Sequence, residues 1–453
     1  MTVDDWLDCN RVVARLENAG MSPECAEQAA PCFVKAAGYL RPHVRGRSVV
    51  ACWAPGRIEV LGKHTDYCGG DSILAAAERG FCMLATPRDD GVVAIVNPQQ
   101  PVRSVVLEKS TPPTLGHWSN YPHTVVRRLA KNFPQASRGA TIAFASNLPK
   151  ASGMSSSSAF VVGTFLLLSQ INNLEHDETY RGSIHSKEDL AGYLSSVENG
   201  MSFGPLTGDK GVGTFGGSED HTAVLCGQSN RLVQYGFCPV RFRRSIGLDD
   251  NYVFVVASSG VISEKTGAAL EKYNRISALV RTIVRTWQMA TGRDDQSLAA
   301  ILESTRDGGT QLRNTLLKNT DASAVADFVE RLDHFGTESR LIDSVPKTIN
   351  ASTMGKFGES AYESHSMAHS HLKNQTAETN RLVAIAEELG APAASAFGAG
   401  FGGSVWAIVD CPSAAQFSKE WAARYEREFP ATAARAEFFA TRPGKPAITD
   451  FET

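Results

Sequence analysis

The stretch that decides the fold is residues 54–70, APGRIEVLGKHTDYCGG. It begins with a short apolar run and then places Arg57, Glu59, Lys63, His64 and Asp66 between glycines. Burying so many ionisable groups in one strand and turn is costly unless each group has a partner. The pattern therefore indicates either a solvated charged turn or the wall of a polar pocket, and other parts of the chain decide between the two.

The composition describes an ordinary globular protein and disfavours two classes of partner. The chain has 453 residues, of which 42% are hydrophobic and 21% charged, and its formal net charge is -3. This length predicts two or three domains, and the charge balance lacks the basic footprint of a nucleic-acid-binding protein. The acidic N-terminus and the absence of any apolar run near 20 residues, together with nine cysteines without a C-x-x-C pair, predict a cytoplasmic protein with reduced thiols and no membrane segment.

Apolar periodicity predicts a mixed α/β protein built in two halves. Helices are expected as two short segments within residues 1–40, over 119–133, from 155 to about 172, and over roughly 264–291, 294–305 and 376–389. Strands are expected over 49–56, as a hairpin around the Asp90-Gly91 turn, and over 139–149, 252–260 and 404–409.

Two further stretches are rich in glycine or serine. Residues 148–160, LPKASGMSSSSAF, lead four serines directly into an apolar helix, where free backbone N–H groups and the helix dipole suit a phosphate. No Walker A motif is present, and a serine-rich helix cap also explains the stretch. Residues 394–409, ASAFGAGFGGSVWAIV, carry four glycines within six residues, which indicates either a close approach of backbone or ligand or a tight structural turn.

Taken in this order, the three stretches resemble the three motifs of the GHMP small-molecule kinases. The form G-R-x-x-x-x-G-x-H-T-D-Y is similar to the galactokinases, as are residues 118–126, 216–227, 256–276, 357–368 and 374–386. The resemblance implies an α+β fold with two domains. Residues 1–240 would form a ribosomal protein S5 domain 2-like N-terminal domain, and residues 241–453 a ferredoxin-like C-terminal domain whose glycine loop, 394–404, closes the site.

The same resemblance implies an activity and a role for each matching residue. The chain would be an ATP-dependent kinase that uses Mg²⁺ to phosphorylate the anomeric C1 hydroxyl of galactose or a related monosaccharide, as a monomer or weak homodimer. Asp220 would be the catalytic base or an orienting charge, with Arg57 beside it. The other implied residues are Glu59, Lys63, His64, Asp66 and Tyr273 for the sugar; Lys150, Ser152, Gly153, Ser155, Ser156, Ser157 and Ser158 for ATP; and Ser157 and Glu198 for the metal.

The chain departs from the galactokinase pattern near the sugar. The usual first motif, G-R-x-N-x-x-G-E-H-T-D-Y, here has Glu59 for asparagine and Lys63 for glutamate, and M-D-Q around the aspartate is here E-D-H at 219–221. Lys63 could bind the carboxylate of a uronic acid, pair with Glu59 and leave room for a smaller sugar such as arabinose, or point away while galactose still binds through Asp66. The span before Asp220 is also longer, with an added loop at 199–213.

Other interpretations stay open on the sequence. A kinase of a non-sugar alcohol such as mevalonate or homoserine is one, and a sugar sensor without catalytic activity is another. Trp118 and Tyr121 either pack in the core or border the nucleotide pocket. His365, His369 and His371 have a spacing seen in zinc sites but are expected to be surface histidines.

Overall fold

The computed structural model describes residues 1–97, 100–106, 117–262, 268–305, 307 and 309–451. The strands are β1 (Val50–Leu61), β2 (Asp71–Arg88), β3 (Val92–Asn97), β4 (Gln100–Val106), β5 (Gly139–Ser146), β6 (Arg231–Gly236), β7 (Arg241–Leu248), β8 (Tyr252–Ser258), β9 (Thr348–Ile349), β10 (Ala393–Phe397), β11 (Ser404–Asp410) and β12 (Glu437–Thr441).

The helices lie between groups of strands, as expected for a mixed α/β protein. They are α1 (Cys9–Asn18), α2 (Pro23–Val44), α3 (Asn120–Asn132), α4 (Ser156–Asn172), α5 (Glu178–Ser183), α6 (Lys187–Asn199), α7 (Glu219–Cys226), α8 (Ala268–Thr291), α9 (Leu298–Ser304), α10 (Thr310–Asn319), α11 (Ala322–Ser344), α12 (Met354–Met367), α13 (Ala377–Glu388), α14 (Ala414–Glu428) and α15 (Pro430–Ala433). The expected start of α8 near residue 264 lies outside the described residues. None of the described helices is both long and apolar enough to cross a membrane.

The first sheet is built around the long strands β1 and β2. Its strand order is β4-β3-β5-β2-β6-β7-β9, and β1 pairs with β2 in antiparallel register. The strand β1 continues to Leu61, past residue 56 where the expected strand ends, and bulges interrupt its register between Pro55 and Arg57 and between Glu59 and Leu61. Because a bulge re-aims the side chains beside it, these two irregularities decide where the charged residues of the first motif point.

The predicted hairpin around Asp90-Gly91 is wrong. The strands β2 and β3 both form, but β5 lies between them, antiparallel to β2 and parallel to β3. A Cβ at Gly139 would come within 2.2 Å of the Val92 carbonyl oxygen, so this glycine lets β5 enter against β3. A long-range strand pairing therefore replaces the local one that the turn residues favour.

The second sheet confirms the ferredoxin-like arrangement of the C-terminal half. Its order is β10-β11-β8-β12, with antiparallel neighbours, and the chain visits it as β8, helices, β10, β11, α14 and β12. One face, including Val255 and Val405, packs against α13 and α14. The other face, including Val256 and Trp406, shares a core with Ile58 of β1. The two sheets are thus joined through apolar contacts beneath the first motif, and the boundary expected between residues 240 and 241 falls inside the β6–β7 hairpin.

The buried helix α4 positions the serine-rich stretch. It packs against β1, α3 and α7, and most of its side chains from Ser158 to Leu168 are buried. The preceding residue, Ser155, has a left-handed backbone conformation with φ of 56°, which turns the chain sharply into the helix. The residues just before α4 lie beside the middle of β1, where the Arg57 N–H donates to the carbonyl oxygen of Met154 at 3.1 Å.

The added loop after α6 is fastened to α3. Arg128 donates to the carbonyl oxygen of Met201 at 2.9 Å, and Lys131 donates to that of Gly208 at 2.7 Å. Arg127 donates to the carbonyl oxygen of Lys210 at 2.6 Å. These charge-assisted hydrogen bonds hold the loop beside the entrance of the site described next.

Candidate active site

A cavity lies where β1, α4, α6, α7 and the glycine loop before β11 meet. Eight of the predicted site residues line it: Arg57, Glu59, His64, Asp66, Ser158, Glu198, Asp220 and Tyr273. The lining also includes side chains to which no role was assigned from the sequence, Tyr67, Ser195, Asn199, Thr214, Glu219 and His221. Polar residues that are far apart in the chain therefore converge on one pocket, as the interpretation of the first motif as a pocket wall requires.

The centre of the cavity is an ion pair between Arg57 and Asp220. Arg57 Nη2 lies 2.7 Å from Asp220 Oδ1, and Arg57 Nη1 donates to the carbonyl oxygen of Gly153 at 2.6 Å. The Arg57 side chain is only 2% exposed. Because a guanidinium donates in several fixed directions, this one group holds both the aspartate at the start of α7 and the backbone of the loop before α4.

Three more carboxyl groups surround this pair. Glu219 Oε2 accepts a hydrogen bond from Ser72 Oγ at 3.0 Å, and Glu219 Oε1 lies 3.8 Å from Arg57 Nε. Burial, and next the negative charge of Glu59, raise the pKa of Glu219 well above its ordinary value. Arg57 is closer to Asp220, at 2.7 Å, than to Glu219, at 3.8 Å, so Asp220 is its main ion-pair partner.

Glu59 and Asp66 occupy the sugar side of the predicted pocket. Glu59 is 1% exposed, its Oε2 accepts from the Gly398 N–H at 3.3 Å, and burial raises its pKa. Asp66 accepts from the N–H groups of Tyr67 and Glu219, and burial raises its pKa to about 6. The wall that the first motif supplies is therefore rich in hydrogen-bond acceptors.

His64 and Tyr273 complete that wall. His64 Nδ1 lies 2.8 Å from the hydroxyl of Tyr67, and the imidazole centre lies 5.8 Å from the ring centre of Tyr273. His64 Nε2 is 3.3 Å from the carbonyl oxygen of Ala399 in the glycine loop. The first and third motifs are thus in direct contact across the cavity.

The loop before α4 and the glycine loop pack backbone to backbone. Ser404 Oγ donates to the carbonyl oxygen of Ser152 at 2.7 Å. Gly398 has φ of 82°, and a Cβ there would lie 2.6 Å from the carbonyl oxygen of Gly153. Only glycine meets both conditions, which explains the composition of the third motif. Of the other residues predicted for ATP, Lys150 is exposed, Ser155 is buried, and Ser156 is half-buried at the helix start.

The serine that meets Glu198 is Ser158 rather than Ser157. Ser158 Oγ donates to Glu198 Oε2 at 2.9 Å and lies 3.5 Å from Asp220 Oδ2, whereas Ser157 is half-buried and lies outside the described lining of the cavity. Consecutive residues of a helix point about 100° apart, so one position along α4 decides which hydroxyl faces the carboxylates. The sequence alone could not place the first residue of the helix to that accuracy.

The oxygen atoms around Ser158 fit a divalent cation only in part. In the described part of the chain, no group of three or more His, Cys, Asp or Glu side chains is arranged to hold a metal ion by itself. Hydroxyl and carboxylate oxygens are nevertheless the donors that Mg²⁺ prefers, and Mg²⁺ commonly takes its remaining ligands from nucleotide phosphates and water. The donor set fits a cation that arrives with the nucleotide.

Lys63 is a correction to the predicted sugar site. Its side chain is 1% exposed and lies outside the described lining of the cavity, with Nζ donating to Ser364 Oγ at 2.6 Å. Ser364 Oγ donates to Glu338 Oε1 at 2.6 Å, and the Gly62 N–H donates to Glu338 Oε2 at 2.9 Å. Lys63 therefore fastens the first motif to α11 and α12. Its partner Ser364 is 301 positions away in the chain, so no local signal could have identified it.

The remaining predicted residues lie outside the centre of the site. Trp118 packs against the core that contains Phe160, in agreement with the core-packing interpretation. His365 is buried rather than on the surface, and burial lowers its pKa to about 3. His369 is exposed and His371 is half-buried. Three histidines in such different surroundings do not form a zinc site.

Three family models match this chain, and each covers one part of the fold. The model for the GHMP kinases N terminal domain matches residues 120–206, and that for the GHMP kinases C terminal matches residues 347–427. The galactokinase galactose-binding signature matches residues 43–87, which contain β1 and most of the first motif's wall. The matched ranges include β1, α4, α6 and the glycine loop of the cavity, whereas α7 and Tyr273 lie outside them.

Known proteins similar to this chain carry the same name repeatedly. The galactokinase of Chloroflexus aggregans is 27% identical over 380 residues, which is 82% of this chain and 87% of that protein. The galactokinase of Lactococcus lactis subsp. lactis is 26% identical over 381 residues, covering 83% and 86%.

Solved structures show the same fold. Lactococcus lactis galactokinase complexed with galactose matches with a TM-score of 0.72 at 21% identity, over 91% of this chain and 98% of that one. The Methanococcus jannaschii mevalonate kinase has a TM-score of 0.54 at 15% identity, over 88% and 99%. The chain thus carries matches to both GHMP kinase domains and to the galactose-binding signature, and it is similar to galactokinases over most of its length.

Proposed function

We propose that this protein transfers the γ-phosphoryl group of ATP to the anomeric C1 hydroxyl of a neutral monosaccharide of the galactose type. The observation that carries the proposal is the position of Arg57, whose guanidinium contacts both Asp220 and the backbone of the loop before α4. Phosphoryl transfer depends mainly on positioning and on neutralising charge. One cation that joins the carboxylate to the nucleotide loop meets both needs.

In the proposed reaction Asp220 acts on the acceptor hydroxyl. As the sugar oxygen bonds to the γ-phosphorus, its O–H bond breaks and the proton passes to the Asp220 carboxylate, while the bond from the γ-phosphorus to the bridging oxygen breaks and ADP leaves. Arg57 stabilises the negative charge that develops between them. The backbone N–H groups at the start of α4 bind the nucleotide phosphates.

The divalent cation would be held by Glu198 and Ser158 together with the nucleotide. When bound, it would neutralise phosphate charge. Asp220 is also within 3.5 Å of Ser158 Oγ, so the cation position and the reacting hydroxyl position are neighbours. We infer Mg²⁺ as the ordinary occupant because the oxygen donors match its preference.

The acceptor is proposed to be uncharged. Lys63, which a uronic acid would need, is committed to Ser364 and Glu338. The described lining presents carboxyl groups at Glu59, Asp66 and Asp220, and an anionic sugar would be repelled by those that are ionised. Hydroxyl groups of a neutral sugar can instead donate to these acceptors.

The test is ADP release with galactose, arabinose, galacturonate and glucuronate, each measured with MgATP. We expect turnover with galactose or arabinose and none with either uronate. Sugar binding by calorimetry with no ADP release for any sugar would favour a sensor, and turnover with a uronate alone would overturn the neutral-acceptor proposal.

Replacing the proposed base gives a sharper test. In Asp220→Asn we expect kcat to fall by about 10²–10⁴-fold, because the amide keeps the shape but cannot accept the proton. MgATP affinity should stay within about threefold of wild type. Asp410→Asn, at an exposed end of β11, is the matched control and should leave kcat unchanged. Full activity of Asp220→Asn would contradict the assigned role.

A further inference from the structure

We propose that His221 is a direct nitrogen ligand of the divalent cation that accompanies the nucleotide, and that this site therefore binds Mn²⁺ more tightly than Mg²⁺. The inference rests on the proposed function in one respect: it assumes that a divalent cation binds together with the nucleotide beside Glu198. His221 follows Asp220 on α7, and it lines the same cavity.

His221 is a buried imidazole that lacks a satisfactory partner. His221 is 2% exposed, and within the described part of the structure neither of its ring nitrogens makes a hydrogen bond of acceptable geometry. Buried polar groups are nearly always paired, since an unpaired one loses its hydrogen bonds to water without gaining others. A side chain held in this state beside a carboxylate indicates a missing ligand.

The spacing of the donor atoms fits adjacent positions on one cation. His221 Nε2 lies 3.1 Å from Glu198 Oε2, and Ser158 Oγ lies 2.9 Å from the same oxygen. Two ligands at right angles, each about 2.1–2.2 Å from a metal ion, are about 3 Å apart. Because the contact between His221 and Glu198 lacks hydrogen-bond geometry, this separation is better explained by a shared ion than by a direct bond.

The ligand types decide which metal is favoured. Mg²⁺ prefers oxygen ligands, whereas imidazole nitrogen suits the first-row transition metals. A site with one carboxylate, one hydroxyl and one imidazole, completed by phosphate oxygens, therefore gains affinity for Mn²⁺ from His221 and little for Mg²⁺.

The test uses Mn²⁺ with a methylene-bridged ATP analogue, which cannot be hydrolysed, and full-length protein labelled with ¹⁵N-histidine. Pulsed EPR of the bound Mn²⁺ should show a directly coordinated ¹⁵N, and His221→Gln should abolish this coupling. Calorimetry should show Mn²⁺ affinity falling about tenfold in His221→Gln while Mg²⁺ affinity changes little. His369→Gln, in the turn after α12, is the control and should behave as wild type.

Two results would overturn the proposal: Mn²⁺ that binds wild type with no ¹⁵N coupling, or no nucleotide-dependent Mn²⁺ binding at all. His221→Asn provides a second variant if the glutamine variant does not fold. Neither measurement requires turnover, so ADP release from a sugar, tested separately with Mg²⁺, judges the proposed function independently.

Discussion

Arg57 and Lys63 are two buried cations six positions apart in one motif, and they serve different ends. Both side chains are at most 2% exposed. The partners of Arg57 are Asp220 and the loop before α4, which border the cavity. Lys63 donates to the hydroxyl of Ser364, which in turn donates to Glu338. These two partners lie on α12 and α11, outside the described lining of the cavity. A charged residue in a binding motif acts on substrate only if its partners also face the pocket.

The bulges in β1 produce this division. In an unbroken strand, positions 57, 59, 61 and 63 would all point to one face. The irregularity between Glu59 and Leu61 breaks the alternation, so Leu61 joins Ile58 and Val60 in the apolar core. Arg57 and Glu59 remain on the cavity side, and the chain beyond Leu61 turns Lys63 toward α11 and α12.

The strongest test of the comparison is Arg57→Lys. The variant keeps the charge, but an ammonium cannot donate to Asp220 and the Gly153 carbonyl in the same fixed geometry. We expect kcat to fall at least about 10²-fold, as for loss of a donor that stabilises developing charge. Steady-state ADP release measures this, with Arg381→Lys, at a half-buried arginine of α13, as control. A kcat equal to wild type would show that Arg57 is a structural cation like Lys63.

Lys63→Met sharpens the comparison from the other side. Lys63→Met removes a buried ammonium that reaches Glu338 through the Ser364 hydroxyl, and the described partners left to Glu338 are Ser364, the Gly62 N–H and, at 4.0 Å, His334. We therefore expect the free energy of unfolding to fall by about 3 kcal/mol. Glu338→Gln added to Lys63→Met should recover part of that loss.

Urea denaturation gives the stability of these variants, and ADP release with the sugar panel gives their preference. The preference among sugars should stay that of wild type in the folded fraction. A change in the preference among sugars without a loss in the free energy of unfolding would show that Lys63 contacts the sugar.

A smaller effect is expected from the pH dependence of Asp66. Its pKa is raised to about 6 in the folded protein, chiefly by burial, so the folded state holds this proton more tightly than the unfolded state. The group therefore costs stability as pH rises from about 4 to about 6, by about 1–3 kcal/mol in total. Asp66→Asn removes this cost, and its stability relative to wild type should increase by that amount between pH 4 and 7.

Urea denaturation at pH 4, 5, 6 and 7 checks this slope. Asp90→Asn is the control, because the hydrogen bond from Arg88 lowers the pKa of Asp90 to about 2 and the group is already ionised throughout that range. A relative stability of Asp66→Asn that is as flat as that of the control would show that Asp66 is not held in the buried surroundings described.

The resemblance implied that Arg57 lies beside Asp220, and the two form an ion pair in the cavity. Glu198, also implied by the resemblance, lines the same cavity. The contacts missed were of two kinds. Glu219 and His221 differ from the family pattern, and only their burial and position in the cavity reveal what they face. The resemblance implied Ser157 for the metal, whereas the serine that lies beside Glu198 is Ser158.

The sequence by itself determined the mixed α/β class, several of the helices and strands, and the resemblance to the GHMP kinases, because local periodicity and ordered motifs are properties of the chain alone. The tertiary structure decided that β5 separates β2 from β3, that Arg57 faces the cavity and that Lys63 does not. The physical reason is that strand register, bulges and the partners of a buried charge depend on residues tens to hundreds of positions apart, whose contacts exist only once the sheets have packed.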